Sequence, residues 1–219
     1  MRDHRDSKAS DRRLSPFRVG FTYGVVAVIV AVFTNLYFLF VDPAKTSEWV
    51  LAVIQQYRTP FALTVYLFLG ILATLRVRPS RLDPGVSYRS LLVRDGALAA
   101  TVIAVMVWAA LFVMIALEAT VFAGAMRHYA QEAAPRIVHY VNEARKILSN
   151  PPPPARVGPV HSALQPPQLW ELGRSIFNGV LRAIVMGAVG ALVGALRGRR
   201  MQHAEEKDDG SPQEAVEHQ

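Results

Sequence analysis

The side chains that could do chemistry in this chain of 219 residues are few, and most lie at the edges of long apolar runs. Arg182 is the one charge set well inside such a run, Ile176 to Leu196. An ionisable group at such a place is by default a functional candidate, because removing it from water is expensive. Glu171, Ser175, Asn178 and Arg182 follow at steps of four, three and four, which puts them on one helix face. That stripe lines a wet vestibule, or the helix begins above the bilayer and Arg182 merely extends its head to the headgroups; the second is the more economical. Glu118, closing another apolar run, is the candidate counter-charge. It falls on the side opposite to the one that the small-residue pattern described below requires.

His128 and His139 share a helix face, and each has a carboxylate four residues on, at Glu132 and Glu143. Eleven residues separate the two rings by roughly 16 Å along a helix axis, too far for one coordination sphere. The pattern reads as a solvated charged face, and no metal ligand is assigned. The chain has no Cys, which excludes disulfides, thiolate zinc, iron–sulfur and thiol chemistry. No phosphate-binding loop, dinucleotide fingerprint, nucleophile elbow or His-Glu-x-x-His occurs. The sequence therefore offers no catalytic residue and no cofactor site, and it points away from an enzyme.

The elements that must carry these residues follow from the apolar content of 52%, which is bunched rather than periodic. A span takes about 20 apolar residues at 1.5 Å each, with about 17 as the lower limit. Val19 to Val41, Thr59 to Leu75, Gly96 to Leu117 and Ile176 to Leu196 qualify. Pro60 is expected in the first turn of the second span, where its missing N–H is harmless. The first run is too long for a signal-peptide core and lacks a small-x-small cleavage site, so it reads as a retained anchor. The expectation is an all-α fold, a four-helix transmembrane bundle, with a basic disordered arm at 1–18 and three spans with short connections over 19–117. An extracytoplasmic helix and Pro-rich connector follow at 118–174, then a fourth span at 175–197 and a disordered tail at 198–219.

Orientation follows from the Lys and Arg beside the spans. The arm holds six, Arg76 to Arg94 five and Arg197 to Lys207 four, against two in Asp42 to Arg58. Both termini are thus expected in the cytoplasm, in a multi-pass protein of a bacterial inner (cytoplasmic) membrane. Tyr37, Phe38, Phe40, Trp49, Tyr57, Trp170 and Phe177 then fall at the outer boundary as an interfacial belt. The basic arm suits anionic lipids of the inner leaflet, each cation contributing roughly 1 kcal/mol. Nucleic acid is not expected as a partner, since no groove-reading helix or aromatic platform accompanies the charge.

Outside the membrane, Glu118 to Asn150 is expected to be largely helical, with an apolar stripe of Ile137, Val141, Ala144 and Leu148 flanked by Tyr140 and Ile147. Seven of the 14 prolines follow within residues 151–167. A continuous stalk of about 50 Å matched by a descending proline strand is geometrically feasible. A bend at or before Pro135 is preferred, because a lone stalk leaves its stripe uncovered; the stripe then lies on the membrane surface.

Small residues give the main packing signal. The fourth span carries Gly179, Ala183, Gly187, Ala191 and Ala195 on one row and Gly190, Gly194 and Gly198 on the next; the first has Gly20, Gly24, Ala27 and Ala31. The second adds Gly70 and Ala73, and the third Ala97, Ala100 and Ala104. In lipid, helices associate by backbone approach, which such rows permit. The cytoplasmic halves, where these rows lie, offer only Thr22, Tyr23, Thr74 and Thr101 as polar groups, so a pore through one monomer is not expected. The Gly-rich fourth span serves as a seam to a homo-oligomer or a membrane-protein partner, or packs inside its own bundle.

Gly85-Val86-Ser87-Tyr88-Arg89-Ser90 before Gly96, a long outer insertion and the Gly-rich helix Gly179 to Leu196 closed by Arg197, Arg199 and Arg200 give the chain its layout. In these features it resembles a broad group of uncharacterised bacterial four-span membrane proteins, a domain of unknown function. The resemblance implies topology and no site residues; the basic arm and Pro151 to Pro154 depart from it. Together these readings point to a structural or interaction subunit of a membrane complex, with a small transporter or channel component having an outer vestibule near Arg182 as the alternative.

Overall fold

The structure, a computed structural model, describes residues 15–78 and 87–209. Among the described residues seven helices follow in order: α1 Pro16–Asn35, α2 Tyr37–Phe40, α3 Glu48–Arg76, α4 Tyr88–Thr120, α5 Ala123–Lys146, α6 Val157–Leu164 and α7 Glu171–Asp209. No strand occurs among the described residues. α1, α3, α4 and α7 are long and apolar enough to cross a membrane, so the chain is an all-α, multi-pass membrane protein, as its apolar runs require. Their outward faces carry large apolar side chains, such as Phe33, Phe68 and Ile184, at roughly 60% exposure, as suits the apolar interior of a bilayer.

The helix ends depart from the apolar runs, and the reasons are local. α3 begins at Glu48 rather than Thr59, because its first turns bury Leu51 and Ala52 in a core of their own. Pro60 therefore lies inside a helix, not in its first turn. α7 continues to Asp209, so residues 198–209 of the expected disordered tail are helical. Residues 1–14 of the basic arm, 79–86 with Gly85 and Val86, and 210–219 lie outside the described residues. Between α4 and α5 the chain bends at Val121 and Phe122, where the Phe122 N–H reaches back to Leu117 O at 2.9 Å. The bend precedes Pro135, which α5 absorbs in its interior.

The chain divides into two compact units, Met1–Val25, Tyr66–Met106 and Val180–Gln219 in one, Val26–Val65 and Val107–Gly179 in the other. The first is built on small residues. A Cβ on Gly190 would collide with Gly96 O and stand 2.8 Å from Ala100 Cβ, and one on Gly194 would strike Leu92 O. Gly187 approaches Thr101 Oγ1 and Gly198 approaches Arg89, so as α7 advances its contacts on α4 recede, which is antiparallel packing. Gly20 lies against Ala99 and Gly24 against Met106, so α1 runs parallel to α4. Ala73 and Ala100 are fully buried, whereas Ala97 faces partly outward. The row that meets α4 is Gly187, Gly190, Gly194 and Gly198, while Ala183, Ala191 and Ala195 are only half-buried. Arg197 donates to Val77 O at 2.8 Å and Thr74 O at 3.4 Å, capping the carbonyl end of α3.

The second unit is a cap with a side-chain core: Phe38, Leu51, Ala52, Met126, Tyr129, Ala130, Ala133, Ala134, Ile137 and Leu164. α5 turns its apolar face onto this core, so neither a free stalk nor a membrane-surface helix is needed to cover it. The stripe is corrected in phase. Ile137 and Val141 belong to the packed face, but Ala144, Ile147 and Leu148 are exposed, Ile147 at 87%. The proline connector folds back onto α5. Asn142 Nδ2 donates to Ala155 O at 3.2 Å and Asn142 Oδ1 accepts from Ala155 N at 2.7 Å, while Arg145 donates to Pro153 O. Within this unit Phe40, Trp49, Tyr57, Trp170 and Phe177 are exposed as an interfacial belt would be, whereas Tyr37 and Phe38 turn inward.

Candidate functional site

The cap unit encloses a polar cavity of about 590 Å³. Its polar lining comes from four helices: Asn35 closes α1, Arg58 lies within α3 just before its apolar run, Glu118 lies in the last turn of α4 and Glu171 opens α7. Gln165 and Gln168, from the loop between α6 and α7, complete the rim. The local fold explains each placement. Asn35 is held by its amide bond to Ala31 O at 2.8 Å. Glu118 continues the buried face of α4 through Val107 and Met114, at helical steps of seven and four, and is only 7% exposed. Glu171 sits in the first turn of α7, where a carboxylate complements the positive helix end.

Opposite charges line this space without closing on each other. Among the described residues no ion pair joins Arg58 to Glu118 or Glu171. The Arg58 guanidinium instead lies 4.7 Å from the centre of the Tyr37 ring, which meets Tyr129 edge-on at 5.4 Å. Burial pushes the Tyr129 phenol above its ordinary range, so it stays protonated beside the cavity. Glu118 is buried by its neighbours and faces the cavity, so its charge is met there by water, a guest or a proton.

Other polar pairs of this unit lie away from the cavity. His139 Nδ1 lies 2.7 Å from Glu48 Oε2, which raises the imidazole above its usual range, and Arg136 donates to Pro43 O. Asp42, held low by Lys45 and the Ala44 N–H, shapes that loop. His128 pairs with Glu132 at 3.5 Å, and Lys146 with Glu143 at 2.6 Å, where it lowers that carboxyl. The His-Glu faces thus work as surface ties. Among the described residues no cluster of His, Asp or Glu has the makings of a metal site.

Of the three polar candidates in the sequence, only Glu118 lines the cavity. Asn178 is exposed at the start of α7. Arg182 is exposed in the small-residue unit and takes no ion pair among the described residues. Glu118 is on the inward face of its helix, not on the side away from packing. Gly179 is buried beneath the Trp108 ring, whose Nε1 donates to Ser175 O at 3.1 Å. Arg58, legible in the sequence only as a flanking charge, and Glu171, the outermost member of the polar stripe, both line the cavity. Sequence reasoning passed over buried Asp95, 3.0 Å from Arg94 Nε in the small-residue unit.

No family model, curated protein or solved structure matches the chain.

Proposed function

We propose that this chain is a non-enzymatic structural or interaction subunit of a complex in a bacterial cytoplasmic membrane, with both termini in the cytoplasm and the cap unit outside. The observation that carries the reading is the α7 seam. Where Gly190 and Gly194 bring backbone against backbone, no room is left for the polar path that a monomeric channel or carrier needs. Small residues in the spans serve packing, and the distinctive surface is in the cap. There Ile147 and Leu148 stand exposed at the end of α5, beyond any span, as a contact for a partner protein or a second copy. The basic arm and Arg199 and Arg200 support the orientation and an attraction to anionic lipids of the inner leaflet. The layout shared with four-span proteins of unknown function supports the topology alone.

Cross-linking in native membranes, followed by mass photometry of detergent-free particles, is expected to return a self- or hetero-complex. A bare monomer in both would overturn the reading. Ser162→Cys and Ser211→Cys are expected to label from opposite sides of the membrane; labelling from one side would reverse the orientation. The alternative is a small transporter or channel component with an outer vestibule near Arg182, and the cavity lined by Glu118 supports a polar site in it. It requires that Glu118→Gln or Arg182→Leu change solute flux in reconstituted vesicles.

A further inference from the structure

We propose that the cap cavity is a binding site for a dipolar group carrying both an ammonium and a phosphate or carboxylate. The inference goes beyond the interaction reading and does not depend on it. Three observations carry it. First, Glu118 is 7% exposed, opens onto the cavity and has no ion pair among the described residues, so no cation of the described chain neutralises it. Second, Arg58 lines the same space, so the cavity holds a fork of N–H donors together with carboxylate acceptors at Glu118 and Glu171. Had the opposite charges met, the site would be a closed structural ion pair; held apart, they leave room for a guest that bridges them. Third, the remaining polar wall is uncharged, with Asn35, Gln165 and Gln168 able to accept from an ammonium or donate to an anion.

The guest is thereby constrained. A purely anionic ligand would face Glu118 and Glu171, and a purely cationic one would face Arg58. A quaternary ammonium brings no N–H to Glu118, so a primary ammonium fits better. Arg58 and Glu118 stand directly at the ends of the apolar stretches of α3 and α4, which is headgroup depth for a spanning helix. The same chemistry can therefore come from a phosphatidylethanolamine headgroup or from a free zwitterion, and the volume of about 590 Å³ admits either.

The test uses the full chain in two arms. In nanodiscs of equal parts phosphatidylethanolamine, phosphatidylglycerol and phosphatidylcholine, native mass spectrometry reads which lipid stays bound. In micelles free of phosphatidylethanolamine, thermal unfolding is followed as phosphoethanolamine is added. One phosphatidylethanolamine retained per chain, at least about tenfold over the other two lipids, with no response to phosphoethanolamine, identifies the lipid as the source. A rise in unfolding temperature with phosphoethanolamine identifies the free solute. Either response must fall about tenfold or more in both Glu118→Gln and Arg58→Gln and stay unchanged in Glu143→Gln, a surface variant of α5. If Glu118→Gln does not fold by circular dichroism, Glu171→Gln and Gln165→Ala on the half-open rim take its place. Equal retention of all three lipids with no solute response overturns the proposal, as does retention that survives the cavity variants.

Discussion

The two units of this protein are held together by opposite means. The small-residue unit is stabilised by what its helices lack: Gly96, Gly187, Gly190 and Gly194 carry no side chain, and backbones meet directly. The cap unit is stabilised by what its helices carry, with Leu51, Phe38, Tyr129 and Ile137 in an interlocked core and Arg136, His139 and Asn142 tying loops to α5. The difference is physical. Lipid is as apolar as Leu, so burying a large side chain gains little between spans, whereas close approach gains dispersion. Around α5 and α6, which are too polar or too short to span, removing Leu and Tyr from water is again the main driving force.

That contrast can be broken most sharply in the cap core. Leu51 is fully buried, and Leu51→Ala should cost about 2–5 kcal/mol of cap stability by loss of transfer energy and creation of a cavity. Leu192→Ala, on an exposed face of α7, should cost almost nothing. Reversible unfolding of both variants in micelles checks the pair. Next comes the seam, where Gly190→Ala should cost about 1–3 kcal/mol, because its Cβ meets a backbone carbonyl that cannot give way. Gly124→Ala in the cap, with nothing within 4 Å of its Cβ, should stay within about 0.5 kcal/mol of the parent in the same assay. Arg197→Gln removes a charged donor from the carbonyl end of α3 and should cost about 1.5–3 kcal/mol before screening by water at its half-buried head.

The smallest expected effect is pH-dependent. The folded-state pKa of His139 is raised by its bond to Glu48, so the tie is fully present below the ordinary imidazole value near 6.5 and is lost as pH rises through the raised one. Amide exchange at Glu48 to Leu51 should quicken over that window in the parent beyond the ordinary base catalysis seen in His139→Gln. Equal pH profiles would show that the tie contributes nothing.

The four spans could be read from uncharged runs because a bilayer imposes length and apolarity at once. Helix ends could not, since apolar runs stop near flanking charges while the helices continue, α3 upstream to Glu48 and α7 downstream to Asp209. Small-residue spacing disclosed a seam but not which of two adjoining rows faces α4; that depends on rotation about the axis, which packing against Gly96 and Leu92 decides. The face of α5 was mis-phased because Ala130, Ala133 and Ala134 form much of it, and alanine gives a weak hydropathy signal beside Ile147 and Leu148, which lie past the helix end. The cavity was least visible of all. Asn35, Arg58, Glu118 and Glu171 come from four helices and meet only through tertiary folding.

The absence of Cys permits the most direct test of the central contrast, a closed seam in one unit and a wet cavity in the other. Single cysteines replace Ser162 and Gln168, which line the cavity, and Thr74 and Thr101, which lie in the small-residue unit. A membrane-impermeant maleimide, applied to intact and to opened vesicles, should label the first two and leave the second two unmodified under both conditions. Labelling at Thr74 or Thr101, or protection of both Ser162→Cys and Gln168→Cys, would contradict it.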